Sequence, residues 1–164
     1  MTIRPAGPAD TIGIQSVADT TWRATYVDLL PAEALGQFLV DAYSLPAIER
    51  RIERADRFEV AVAESEGAIV GFSEWVAGGA DDETIWAATY VLPDWQRRGI
   101  GRTFLLSAVA AYRGRVARLL VVVAEANLAG AAFYRAMGFV PVERIESGIY
   151  GTPIRELRHA MLLR

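Results

Sequence analysis

The chain has no cysteine among its 164 residues and a single histidine, His159. Without a thiol there is no cysteine nucleophile, no disulfide and no thiolate metal site, and the redox compartment stays undetermined. One histidine argues against a Ser, His, Asp triad and against zinc sites built on two or more histidines. No metal is expected, and His159 is expected as a structural or surface residue of the last strand. An excess of positive charge is missing as well. The formal charge of −3 and a pI near 5.2 leave no basic face for nonspecific phosphate binding, so nucleic acid is not an expected partner. No stretch approaches about 18 consecutive apolar residues, and the opening "MTIRPAGPAD" lacks an apolar core of signal-peptide length. No membrane association and a cytoplasmic location are the corresponding expectations.

What the chain does have is 52% hydrophobic residues, enough for one domain spanning residues 1–164 to bury most of its apolar surface. A short strand is expected around Ile3, followed by the turn "GPAD". Ile14, Val17, Ala18, Thr21 and Trp22 then recur at helical spacing within residues 9 to 29, until Pro31 ends the run. A second helix is expected over 32 to 42, and a third after Pro46, where "AIERRIERA" reads as a solvated charged face. From residue 57 the period becomes two: the run around Phe58, Val60 and Val62, the turn "ESEG" and the run "AIVGFSEWV" make a hairpin. "TIWAATYVL" is the next strand, stopped by Pro93. "GRTFLLSAVAAYR" carries an apolar helical face, and "ARLLVVVAE" suits a strand buried on both sides, so strand, helix and strand form a βαβ unit. Asn127 is placed to cap the helix "LAGAAFYRAM", Gly138 to stop it, and two strands follow near 139–146 and 153–162.

The stretch "QRRGIGR", residues 96 to 102, joins the strand to the helix of that βαβ unit. Such a turn presents unpaired helix amides and the positive end of the helix dipole, and glycine lets an anion approach the backbone. A Walker A loop would need a GK pair followed by Ser or Thr, and none occurs. A Rossmann fingerprint would need a third glycine or alanine where Phe104 stands, which makes a nucleotide enzyme the weakest reading. What remains is QxxGxG, filled by Gln96, Gly99 and Gly101, with "LLVVVAEAN" and "AAFYRAMGF" following in order and "WRATYVDLLP" ahead. In this combination the chain resembles the GNAT superfamily of acyl-CoA N-acyltransferases, its small-molecule-type bacterial N-acetyltransferases in particular.

The resemblance implies an α/β fold: a mixed, mostly antiparallel central sheet of about seven strands, a splayed parallel pair in the middle, and helices on both faces. The parallel strands would separate past a bulge, leaving backbone groups near Val91 and Leu92 to bond the pantetheine arm of acetyl-CoA. Residues Arg97, Arg98, Gly99, Ile100, Gly101 and Arg102 would then hold its diphosphate. The Val91 amide would polarise the acetyl carbonyl; by sequence alone ordinary strand packing is the favoured use of Val91, and only the resemblance lifts the other. Tyr134 is implied as the acid that protonates the departing thiolate, with Phe133 as core or a wall facing the cofactor. Asn127 has two compatible uses, helix cap and partner of the pantetheine arm.

An alkylammonium must lose a proton before it can attack. Glu83 is the first candidate base by family analogy, with Glu74 and Glu125 in reserve, and a solvated loop carboxylate is the competing use of Glu83. Trp22, Arg23 and Tyr26 with Trp75 or Trp86 are candidates for the acceptor pocket, unless they are simply core. Val27 and Asp28 stand where many relatives carry a basic residue and glycine, which leaves the acceptor open. The expected activity is transfer of acetyl from acetyl-CoA to a small-molecule or peptide amine by direct attack in a ternary complex. The alternative is a GNAT-like module that binds acyl-CoA without chemistry. A homodimer is an allowed assembly.

Overall fold

The computed structural model describes residues 1–54, 58–77 and 84–163. Among them the strands are β1 (Thr2–Pro5), β2 (Phe58–Ser65), β3 (Ala68–Ala77), β4 (Thr84–Val91), β5 (Arg118–Ala124), β6 (Val140–Ile149) and β7 (Thr152–Leu162). The helices are α1 (Thr11–Tyr26), α2 (Ala32–Tyr43), α3 (Leu45–Glu53), α4 (Ile100–Tyr112) and α5 (Leu128–Ala136). The strands lie in the order β1-β2-β3-β4-β5-β7-β6. β1 to β4 form a four-stranded antiparallel part, and β5, β7 and β6 a three-stranded antiparallel part. The two meet only along a short parallel seam, Thr84↔Arg118, Ile85↔Leu119 and Trp86↔Leu120. Beyond Trp86 the two central strands part.

The seam parts without the bulge expected in β4. The β3–β4 ladder runs without a register shift from Ala77↔Ile85 to Gly71↔Val91. The irregularity lies one strand away, between β2 and β3, where Ala63 opposes Gly71 and Glu64 opposes Ile69. Val70 is the extra residue there, which turns it to the face opposite Phe72.

Alternation in β2 and β5 sends side chains to two cores. Val60, Val62 and Phe72 pack with Ile14, Val17, Trp22 and Ile48 under α1, α2 and α3. Leu119, Val121 and Val123 pack with Ile100, Phe104 and Leu105 under α4 and α5. β5 reads in sequence as buried on both sides, and two residues depart from that: Arg118 at its start, and Val122, 37% exposed, where α1 packs mainly on β3 and β4. The apolar face of α1 is the expected one, with Ile14, Val17, Ala18, Thr21 and Trp22 all buried.

Two ion-paired clusters fix the helices to the sheet. Arg4 on β1 donates to Asp10 at the start of α1 and to Glu64 on β2, each at 2.8 Å, while Asp10 also accepts from the Gly7 amide. On α3 the face read as solvated turns inward at Arg51, which pairs with the buried Glu74 at 2.7 Å and lies over the Tyr43 ring. Burial raises the Glu74 carboxyl and the Arg51 charge offsets part of that rise.

The Arg4 guanidinium holds Asp10 below its ordinary value of 3.8. The folded state therefore binds the proton less readily than the unfolded chain, and the stabilisation is complete above that value and lost as pH falls through and below it. Asp10→Asn is expected to cost about 1–3 kcal/mol near neutral pH. In urea unfolding the gap between wild type and variant should hold constant above about pH 5 and shrink as pH falls below about 4; a constant gap at low pH would assign Asp10 a role independent of its charge.

Candidate active site

Where β4 and β5 part, a cleft of about 800 Å³ opens between them, lined by β4, β5, the starts of α4 and α5, and the C-terminal end of α1. The direction of its backbone groups follows from one hydrogen bond. The Leu92 amide donates to the Val70 carbonyl at 3.0 Å, so Leu92 belongs to the β3 ladder. Polar groups in an antiparallel strand alternate sides, which turns the N–H and C=O of Thr89 and Val91 away from β3 and into the gap. The Val91 carbonyl accepts from the Gln96 side chain at 3.0 Å, which caps one of these groups. Leu92, expected beside Val91 as a second backbone contact, is excluded from that role by the same alternation. Thr89, two residues before Val91, turns its backbone groups to the same open edge.

The turn after β4 folds for two separate reasons. Arg97 and Gly99 both take left-handed backbone, with φ of 62° and 86°, and α4 then starts at Ile100, with Ile100, Gly101 and Arg102 lining the cleft. No atom lies within 4 Å of a Cβ built on Gly99, so conformation alone calls for glycine there. At Gly101 the reason is packing: a Cβ would stand 3.2 Å from the Phe133 ring of α5. The sequence reading assigned both glycines to the approach of an anion. Arg97 and Arg102 line the cleft, whereas Arg98 lies over the Trp95 ring at 4.7 Å and does not. Ile100 is buried and anchors the start of α4 in the core.

On the α5 wall, Asn127 caps the helix by accepting from the Gly130 amide at 2.9 Å. A Cβ at Gly130 would sit 2.7 Å from the Asn127 side chain, so glycine leaves that cap undisturbed. Asn127 also lines the cleft, as do Phe133 and Tyr134. The Tyr134 ring is held edge-on between Phe133 and Phe139, at 5.0 and 5.4 Å. Burial pushes its phenol up to about 12, against hydrogen bonding from the side chain and backbone of Thr89. Thr89 in turn is held by Ser73 at 2.9 Å.

At the opposite end, Trp22 and Tyr26 of α1 line the cleft as a stacked pair with centroids 4.4 Å apart, backed by Phe38 at 4.1 Å from Trp22. Tyr90 completes this aromatic wall. Trp75 does not join it: β3 turns that ring to the other face, into the core with Ile100 and Phe104. Glu83 lies outside the described residues. Glu74 is tied to Arg51 beneath α3, and Glu125 to Arg144 at 2.5 Å, and neither lines the cleft. His159 is buried on β7 with Nδ1 3.1 Å from the Leu157 carbonyl, a structural position. Thr89, Tyr90 and Val122 were not singled out in the sequence. The spacing of Thr89 from Val91 could have found it, but the exposure of Val122 depends on where α1 ends.

Residues 56–141 match the family model described as an acetyltransferase (GNAT) domain. Solved structures share the fold over nearly the whole chain. The PaiA N-acetyltransferase of Thermoplasma acidophilum, determined with coenzyme A, superposes with a TM-score of 0.78 at 20% identity, covering 96% of this chain and 98% of that one. A ribosomal-protein-alanine N-acetyltransferase from Brucella melitensis gives 0.73 at 23% identity, covering 99% and 100%. YncA from Salmonella typhimurium, determined with its cofactor acetyl-CoA, gives 0.72 at 20% identity, covering 100% and 94%. No curated protein sequence matches the chain.

The turn should be sensitive to substitution in a graded way. Gly99→Ala is expected to cost about 1–2 kcal/mol of stability through its left-handed backbone, and to weaken coenzyme A binding only modestly. Gly99→Glu adds a negative charge at the cradle and should raise the dissociation constant at least tenfold in calorimetric titration. Equal affinity in wild type and Gly99→Glu would place the anion elsewhere.

Proposed function

The chain belongs to the GNAT acetyltransferase family, and from that premise we propose that it moves an acetyl group from acetyl-CoA to a primary amine by direct attack within a ternary complex. The observation that carries this reading is the exposed edge of β4: Thr89 and Val91 face the cleft beside a turn that, with the first residues of α4, lines the same space. An extended amide-bearing arm fits the first as an added strand would. A diphosphate fits the second, with Arg97 and Arg102 at hand.

Acetyl-CoA supplies an activated thioester carbonyl and a thiolate leaving group. The Val91 N–H faces the cleft and donates to the acetyl oxygen, where negative charge develops. Gln96 holds the carbonyl of the same residue, which fixes the plane of that donor. Phe133 and Ile100 keep water from the reacting centre. No cysteine is present to carry the acetyl group, and direct attack needs none.

Tyr134 serves the leaving sulfur as a donor that never ionises in the working range. A thiol of ordinary pKa near 8.5 is a stronger acid than a phenol near 12, so complete proton transfer from Tyr134 to the thiolate would cost about 5 kcal/mol by itself. Tyr134 therefore stabilises the sulfur by hydrogen bonding as the C–S bond breaks, and completes the transfer as the acylated nitrogen returns a proton.

Thiol release measured with acetyl-CoA across a panel of primary amines should show turnover by the wild type. Background release with tight acetyl-CoA binding would instead favour the non-catalytic module. Tyr134→Phe should lower kcat about 10- to 1,000-fold with coenzyme A affinity within about twofold of wild type. The phenol works protonated, and raising it to about 12 extends the protonated range upward. Wild-type kcat at saturating substrates should then hold level to about pH 10, and a fall centred below pH 10 would remove Tyr134 as the donor.

A further inference from the structure

The carboxylates named from the sequence do not serve the acceptor end of the cleft: Glu74 and Glu125 are held elsewhere by arginines, and Glu83 lies outside the described residues. The strand register brings up another. β5 and β7 pair with Val122 opposite Arg158 and Ala124 opposite Glu156. Directly paired residues share a face, so Glu156 lies on the same side of the sheet as Val122, which lines the cleft, and diagonal to it at roughly 7–8 Å between backbones. This is the face against which α1 packs, since Ala124 and Ile154 share the core with Ile14, Val17 and Trp22. Burial raises the Tyr26 phenol of α1 to about 12, and the Glu156 charge adds to that rise. The Ser147 hydroxyl of β6 donates to one Glu156 oxygen at 2.6 Å and holds the carboxylate in place. On the same face Arg158 is engaged by Glu143.

The walls at this end are aromatic and uncharged among the described residues: Trp22, Thr25, Tyr26, Tyr90 and Val122. A polycation needs several carboxylates along its length; the described lining of this end has none, and Glu156 is the single one placed by register on the adjoining sheet face. A flat apolar body is suited to the stacked Trp22 and Tyr26 rings, with its ammonium reaching past them.

We propose that Glu156 receives the ammonium of the acceptor and removes its proton, and that the acceptor is a primary amine on a flat apolar body seated against Trp22 and Tyr26. This rests on the acetyl-transfer reading. The ammonium gives one proton to Glu156, which passes it to solvent. The neutral nitrogen forms the C–N bond to the acetyl carbon as the carbonyl pair moves onto oxygen. The pair returns as the C–S bond breaks, the sulfur takes the Tyr134 proton, and the nitrogen's surplus proton restores Tyr134. The products are the amide, free coenzyme A and one proton.

The test compares steady-state kinetics of the full chain with acetyl-CoA and two probes, tryptamine and spermidine. Wild type is expected to favour tryptamine at least tenfold in kcat/KM. Glu156→Gln should lose at least 30-fold with tryptamine while acetyl-CoA affinity and thermal midpoint stay near wild type, and Glu156→Asp should recover part of the loss. Ser147→Ala, which keeps the carboxylate and removes its holder, should fall between wild type and Glu156→Gln. Glu156→Gln within twofold of wild type would overturn the role of the carboxylate, and a preference for spermidine would overturn the acceptor class. If acetyl-CoA binds and no amine of a broad panel is acetylated, acetyl transfer itself fails and this assignment falls with it.

Discussion

The site depends on one constraint: a β-strand's polar groups must find partners on both sides, and β4 has a neighbouring strand on both sides for only its first few residues. After Trp86, β5 no longer runs beside it, yet the β3 ladder holds β4 straight through to Val91. Backbone groups at Thr89 and Val91 are thereby committed to the gap, and a buried polar group left alone costs free energy. The molecule answers in part with its own side chains, Gln96 at the Val91 carbonyl and Tyr134 against Thr89. The remaining capacity of that edge is what a ligand of extended, amide-bearing shape can use.

The surroundings of the gap follow from keeping it open. Helices cover each face of the sheet, but α1 ends at Tyr26 and leaves Val122 partly exposed, while Gly101 lets α4 and the Phe133 ring approach closely from the other face. The phenols around the cleft are buried by the same packing. Tyr26 and Tyr134 are each pushed up to about 12, and burial is the largest cause at both. These groups stay neutral over the whole physiological range, so they serve as donors and walls. Among the described residues that line the cleft, charge is confined to Arg97 and Arg102 at the turn.

Much of this was legible in the chain. Helical spacing placed the buried face of α1 residue by residue, and "ARLLVVVAE" marked β5 as a central strand, because apolar periodicity reports burial directly. The strand-turn-helix around "QRRGIGR" was legible from local chemistry, and so was the Asn127 cap. The misses share a cause. Leu92, Arg98 and Trp75 stand next in sequence to residues that line the cleft or pair with them, but strand alternation or a local ring contact sends each elsewhere. Arg51 looked solvated because its partner Glu74 is 23 residues away.

By itself the sequence determined the elements, their order and the kind of turn that follows β4, since propensity, periodicity and left-handed glycine conformation act over a few residues. Only the tertiary structure decided which side of each strand faces the gap, where α1 stops short, and which carboxylate stands near the acceptor end. Glu156 carries no local mark: its position comes from pairing with Ala124 across the sheet and from Tyr26 at the end of a helix more than a hundred residues earlier. Register and face are long-range properties, because they depend on which strands pair and not on what any one of them contains.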